Sequence, residues 1–155
     1  MNKITTFLIL LAIVMTTSSC NKNRIFSEQK DLTNHRWEKN NAFVFTPEIS
    51  DTSKSYNFYF CLRHVYGFQP AGFKIKVEMS VPSGQVMTKT FPISFFDNKK
   101  HLLSDCSGDY CDLETLIEEG FKFTETGKYQ FKILYDMEAK AIPNILQVGL
   151  MIDKK

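Results

Sequence analysis

What is scarce in this sequence narrows it first. No apolar run is long enough to remain in a bilayer: the longest, FLILLAIVM, goes from Phe7 to Met15, whereas a membrane-spanning helix needs about 20 residues. Neither sign of charge dominates, with 19 Lys and Arg against 17 Asp and Glu. No basic cluster stands out, which argues against a nucleic-acid partner. Glycine (7) and proline (5) are too few for a linker or a disordered chain. Catalytic signatures are missing as well: there is no Gly-x-Ser-x-Gly, no Walker loop and no signature of paired catalytic groups. His35, His64 and His101 stand too far apart for metal-ligand spacing. The expectation is a non-enzyme with neither cofactor nor metal.

The N-terminus is rich where the rest is poor. Met1-Asn2-Lys3, the apolar run and the small hydroxylated residues Thr16 to Ser19 follow the order of a secretory signal peptide. Cys20 comes directly after Ser18-Ser19, as in a bacterial lipobox, although Thr17 stands where an aliphatic is usual. In that chemistry the thiolate is the nucleophile that receives the lipid, and the leader is cut just before it. One acyl chain binds only marginally, at about 0.8 kcal/mol per buried methylene, while two or three anchor stably. Cys20 is therefore expected to be lipidated, with a palmitate-type anchor. The alternative is an ordinary secreted chain whose Cys20 pairs with another cysteine. This divides the sequence into a signal peptide (1–19), a lipidated tether (20–36) and a folded domain (37–155). A chain of this size buries roughly two-thirds of its unfolded surface.

What is abundant is the aromatic side chain: 14 Phe, 6 Tyr and 1 Trp. Many fall on a period of two. YNFYFCLR puts Tyr56, Phe58, Phe60 and Leu62 on one face; FKIKVEMS does the same with Phe73, Ile75, Val77 and Met79; KYQFKILYDM repeats it with Tyr129, Phe131, Ile133 and Tyr135. Half-buried antiparallel strands read this way. Turn signals separate them at DTSK, PSG and ETGK, and further strands are expected at 42–47, 86–95 and 145–153. Only DLETLIEE, Asp112 to Glu119, carries helical spacing, with Leu113, Leu116 and Ile117 on one face and Gly120 as a stop. The expected fold is all-β, an antiparallel β-sandwich of jelly-roll or immunoglobulin-like type with one short helix near 112–119. A closed barrel is the alternative.

An exported chain meets a disulfide-permissive compartment, where Cys106 and Cys111 in CSGDYC are close enough to close a small loop. Cys61 is then left over, as a buried free thiol. Asp105, Ser107, Asp109 and Asp112 resemble an oxygen-rich calcium loop, but positions six and twelve from Asp105 hold Tyr110 and Leu116. An EF-hand needs Gly and Glu there, so the loop reads instead as a surface hairpin with Asp112 capping the helix. RHVYGF, Arg63 to Phe68, ends a strand with residue types favoured at the centre of interfaces, and equally with types that close sandwich cores. Arg63, His64 and Tyr66, together with Trp37, are the candidate partner-binding residues.

Three stretches together resemble one family: YFCLRHVYGF, VPSG after an alternating strand, and FTETGKYQFKILYDMEAKAIPNILQVGLMIDKK. With the lipobox and the chain length they look like the GldH-type gliding-motility lipoproteins of the Bacteroidetes. The resemblance covers most of the mature chain. It is most specific where a G-x-Y-x-F-x-I strand leads to I-x-x-V-G-L-x-I. It implies a cell-envelope lipoprotein associated with the motility apparatus, and no catalytic residues. The expected function is therefore a non-catalytic accessory or scaffold of gliding motility or a linked secretion apparatus. The expected setting is the outer membrane, through lipid on Cys20 and facing the periplasm, with envelope proteins as partners. The alternative is a lipid-anchored glycan- or peptide-binding module using Trp37 and the strand-end aromatics as stacking platforms.

Overall fold

The computed structural model describes residues 23–68, 70 and 72–155. Thirteen strands follow one another: β1 (Arg24–Asp31), β2 (Arg36–Glu38), β3 (Phe43–Phe45), β4 (Glu48–Ile49), β5 (Tyr56–Val65), β6 (Phe73–Ser80), β7 (Val86–Ile93), β8 (Asp105–Ser107), β9 (Tyr110–Phe121), β10 (Gly127–Lys128), β11 (Gln130–Tyr135), β12 (Ala141–Pro143) and β13 (Ile145–Lys154). One sheet has the order β1-β13-β5-β9-β8 and the other β3-β11-β6-β7. Every pairing is antiparallel. Two short ribbons, β4–β10 and β2–β12, complete the structure.

The period-two residues face each other across the two sheets. Phe58 meets Phe131 edge to face at 5.3 Å, and Phe60 meets Phe73 at 6.3 Å. Such pairs add about 0.5–1.5 kcal/mol each beyond area burial. A β-sandwich follows from the alternation, because each sheet has one apolar face to remove from water.

Two expectations are overturned. Residues 112–119 are not a helix but the middle of β9, paired along β5 from Leu62↔Leu113 to Phe58↔Glu118. The segment also alternates: Leu113 is buried and Ile117 partly buried, while Leu116 is 45% exposed. The helical spacing of Leu113, Leu116 and Ile117 therefore puts one leucine on the wrong side. What decides is the edge of β5, whose backbone groups need partners. Gly120 is not a helix stop either. It sits at φ 69° where the register slips between Glu118 and Phe121, and its N–H donates to Asn57 Oδ1 at 2.9 Å, which is the role of glycine in a bulge.

Residues 24–36 are likewise not a tether. β1 runs the length of β13 from Arg24↔Asp153 to Asp31↔Gln147. Arg24 Nε donates to Asp153 Oδ1 at 3.0 Å, and Lys30 Nζ lies 5.4 Å from the centre of the Phe45 ring. The ladder needs only backbone groups, so a polar sequence can make it. The apolar stem of Lys30 then covers core aromatics.

Candidate functional site

β5 carries the residues of RHVYGF to one end of the sandwich, and their fates differ. Arg63 is on the outer face, where its Nε and Nη2 donate to the two carboxylate oxygens of Asp112 at 2.7 and 2.8 Å. Such a forked pair is geometrically specific. The guanidinium, chiefly through these hydrogen bonds, holds the Asp112 carboxyl below its usual range. The pair is partly exposed, so its contribution to stability is small; its effect is to fix the Arg63 side chain in one direction. Asp112 is thus an arginine partner and not a helix cap. Tyr66 is 64% exposed, and its backbone N–H donates to the Asp109 carbonyl at 2.8 Å.

His64 points the other way and is completely buried. Its Nδ1 is 3.0 Å from the Val65 carbonyl and its Nε2 3.0 Å from Ser104 Oγ. A carbonyl only accepts, so Nδ1 carries a hydrogen and donates to it. Phe95 and Phe68 close around the ring. Trp37 is also fully buried. Its Nε1–H donates to the Asn41 carbonyl at 2.9 Å, and Phe43, Phe60, Phe73 and Tyr135 surround the indole. Both residues are corrections to the expected binding set. A side chain with no surface cannot stack on a ligand, and the aromatic richness that suggested a platform instead fills the core. Cys20, the expected lipidation site, lies outside the described residues.

Arg63 borders an open recess of about 420 Å³ lined by Asp31, Leu32, His35, Arg63, Tyr110, Leu146 and Gln147. Four polar or aromatic members, Asp31, His35, Tyr110 and Gln147, escaped the sequence reading because they come from three distant segments. Gln147 Nε2 donates to Asp31 Oδ1 at 2.8 Å, tying one wall together. Asn34 and His35 both adopt left-handed backbone, at φ 63° and 50°. Two such residues in succession cost about 1 kcal/mol or more each and turn the chain sharply between β1 and β2. The recess can therefore offer a fixed cation, hydrogen-bonding groups and an exposed tyrosine face.

A second opening is apolar. A cleft of about 270 Å³ lies between β7 and β9, lined among others by Phe58, Met79, Met87, Ile117, Phe121 and Phe131. It exists because β8 pairs only with Tyr110 to Asp112 and leaves the rest of that edge of β9 bare. Lys89 of β7 and Glu118 of β9, joined by an ion pair, bridge the two strands across it.

The cysteines divide as their positions dictate. Cys106 and Cys111 face each other in the β8–β9 hairpin and are joined by a disulfide. Cys61 is free and buried, although it lies on the outer face of its sheet. Opposite it stands Gly149, whose missing side chain lets Gln29 lie across. Burial pushes the Cys61 thiol up to about 12. In the Cys20→Ala chain no thiol should react with iodoacetamide at pH 8, and one should react once the chain is unfolded; rapid labelling of the native chain would refute the assignment. Linkage gives the sign of the alkaline effect. Below the ordinary value of 9.0 both states hold the proton. Between pH 9 and 12 only the unfolded state loses it, so stability falls across that window.

The family model described as GldH lipoprotein matches residues 24–152. A protein of Christiangramia forsetii, named a gliding motility lipoprotein GldH homolog, is 24% identical over 155 residues, covering 96% of this chain and 94% of that one. The gliding motility lipoprotein GldH of Flavobacterium johnsoniae is 25% identical over 154 residues, covering 95% of each. With the matched region running from β1 almost to the end of β13, the chain belongs to the GldH lipoprotein family.

Proposed function

We propose that this protein is a non-catalytic accessory or scaffold subunit of a gliding-motility apparatus or linked secretion apparatus. A lipid on Cys20 holds it in the outer membrane, facing the periplasm. The names of its relatives support the motility setting. The observation that carries the docking role is the recess at Arg63. It combines a side chain fixed by a forked ion pair with an exposed tyrosine, Tyr110 at 54%, and Arg and Tyr dominate the energetics of protein interfaces. The lipid confines the domain to a surface and so raises its effective concentration for a membrane partner.

The test is capture of the lipidated protein from cross-linked native membranes, followed by mass spectrometry. Wild type should recover motility or secretion subunits, and Cys20→Ala should lose them. Arg63→Ala should reduce recovery by about tenfold with an unchanged melting temperature. Equal recovery with a folded Arg63→Ala protein would remove the recess from the interface. A glycan- or peptide-binding module remains the second reading, supported by exposed Tyr66 and Tyr110 but deprived of Trp37. Binding on a glycan array that disappears in Tyr110→Ala would favour it.

A further inference from the structure

We infer that the end of the sandwich carrying Asn23, Lys54, Lys122 and Lys154 is seated directly on the anionic surface of the membrane that holds the lipid, so that the Arg63 recess faces away from it. The inference rests on the lipidation of Cys20 and specifies its consequence.

It follows from where β1 begins. The Asn23 carbonyl accepts from the Lys154 N–H at 2.7 Å, and Arg24 is paired with Asp153 at 3.0 Å, so the chain is already fixed in the sheet at Asn23. Between Cys20 and Asn23 there are only three peptide units, which span at most about 10 Å however they are arranged. No tether is left to set a reach. The lipid headgroup layer and the start of β1 must be neighbours.

The register states which end of the sandwich that is. Arg24 lies opposite Asp153, Lys154 opposite Tyr56 and Tyr56 opposite Phe121, while the Lys155 N–H donates to the Ser55 carbonyl at 2.8 Å. The start of β1, the start of β5 and the ends of β9 and β13 therefore form one end. Its charged groups are of both signs: Glu48 lies opposite Lys128 in the β4–β10 ribbon, and Glu125 accepts from Ser83 beside Tyr129, which packs through Phe123 onto Tyr56. Arg24 pairs with Asp153 and Lys155 with Glu119. Asp51 lies near Lys54 and Lys154. Lys54, Lys122 and Lys154 form no ion pair among the described residues. Each of these lysines close to an anionic surface adds about 1 kcal/mol of attraction, and the short link from Cys20 to the start of β1 selects this end as the contact. The recess is at the other end of β5: Val65 lies opposite Tyr110, and ten residues of strand place it about 30 Å away. A lipid on Cys20 thus presents the recess outward without a flexible linker.

Lysine footprinting tests this on the native protein. The lipidated chain in vesicles of phosphatidylcholine and phosphatidylglycerol is acetylated briefly, and each lysine is quantified by mass spectrometry. Lys54, Lys122 and Lys154 should slow by about fivefold relative to Cys20→Ala added to the same vesicles. Lys39 and Lys140, at the opposite end beside β2 and β12, should not slow. Uniform rates, or protection of Lys39 and Lys140, would overturn the seat. The intact mass separates this outcome from failure of the lipid itself. If the protein carries no acyl groups, a maleimide phospholipid coupled to Cys20 of a chain without residues 1–19 restores the same comparison, since buried Cys61 does not compete.

Discussion

Trp37→Ala is expected to lower stability by about 3–5 kcal/mol, a fifth or more of what a domain usually has. The indole is fully buried between the two sheets and touches Phe43 of β3, Phe60 of β5, Phe73 of β6 and Tyr135 of β11. Removing it leaves a large void that these rings, each held in its own strand, can fill only in part. It also leaves the Asn41 carbonyl without its 2.9 Å donor. Trp37→Phe keeps most of the volume and loses only the hydrogen bond, so it should cost about 1–2 kcal/mol. Chemical denaturation followed by circular dichroism measures both. A change below about 1 kcal/mol for the alanine variant would mean that the tryptophan is not a core residue, and would return it to the binding surface.

Gly149→Val should cost about 1–3 kcal/mol and loosen β1 from the sheet. A Cβ at this position would lie 2.7 Å from Gln29 Cγ, 2.9 Å from the Glu28 carbonyl oxygen and 3.2 Å from Cys61 Cβ. The glutamine can swing aside, but the Glu28 oxygen belongs to the ladder and moves only if β1 moves. Displacing Gln29 also uncovers Cys61. Two readouts should therefore change together: faster amide exchange along Arg24 to Asp31, and a Cys61 that reacts in the native state. Wild-type exchange along β1 with an unreactive thiol would show that the sheet absorbs the valine elsewhere. Because β1 begins four residues after Cys20, this substitution also lengthens the link between the proposed lipid and the domain without altering the lipid.

The three alternating segments were legible because their pattern is local. Tyr56 to Leu62, Phe73 to Met79 and Tyr129 to Tyr135 each place every second residue inside, and the period alone names the strand and its buried face. Residues 112–119 misled because Leu113, Leu116 and Ile117 satisfy a helical period as well as part of a strand period. Nothing nearby states that β5 has an edge to be filled. β1 was invisible for a related reason: in residues 21–36 only Ile25, Phe26 and Leu32 are apolar, and a backbone ladder leaves little trace in side-chain composition. At the site, Arg63 and Tyr66 lie where a strand end would put them. His64, one position along, turns inward as strand alternation requires. The rest of the recess is assembled from Asp31, His35, Tyr110 and Gln147, which only the pairing of β1, β5, β9 and β13 brings together.

By itself the sequence determined the sandwich class and the family, because each rests on residues adjacent in the chain or repeated at a short period. Tertiary structure alone decided that the presumed tether is an edge strand, that Trp37 and His64 belong to the core, and that the start of β1 and the Arg63 recess stand at opposite ends. These depend on which strand edges meet. Strand pairing is made by backbone hydrogen bonds common to every residue, so its long-range outcome is not written in any local stretch of side chains.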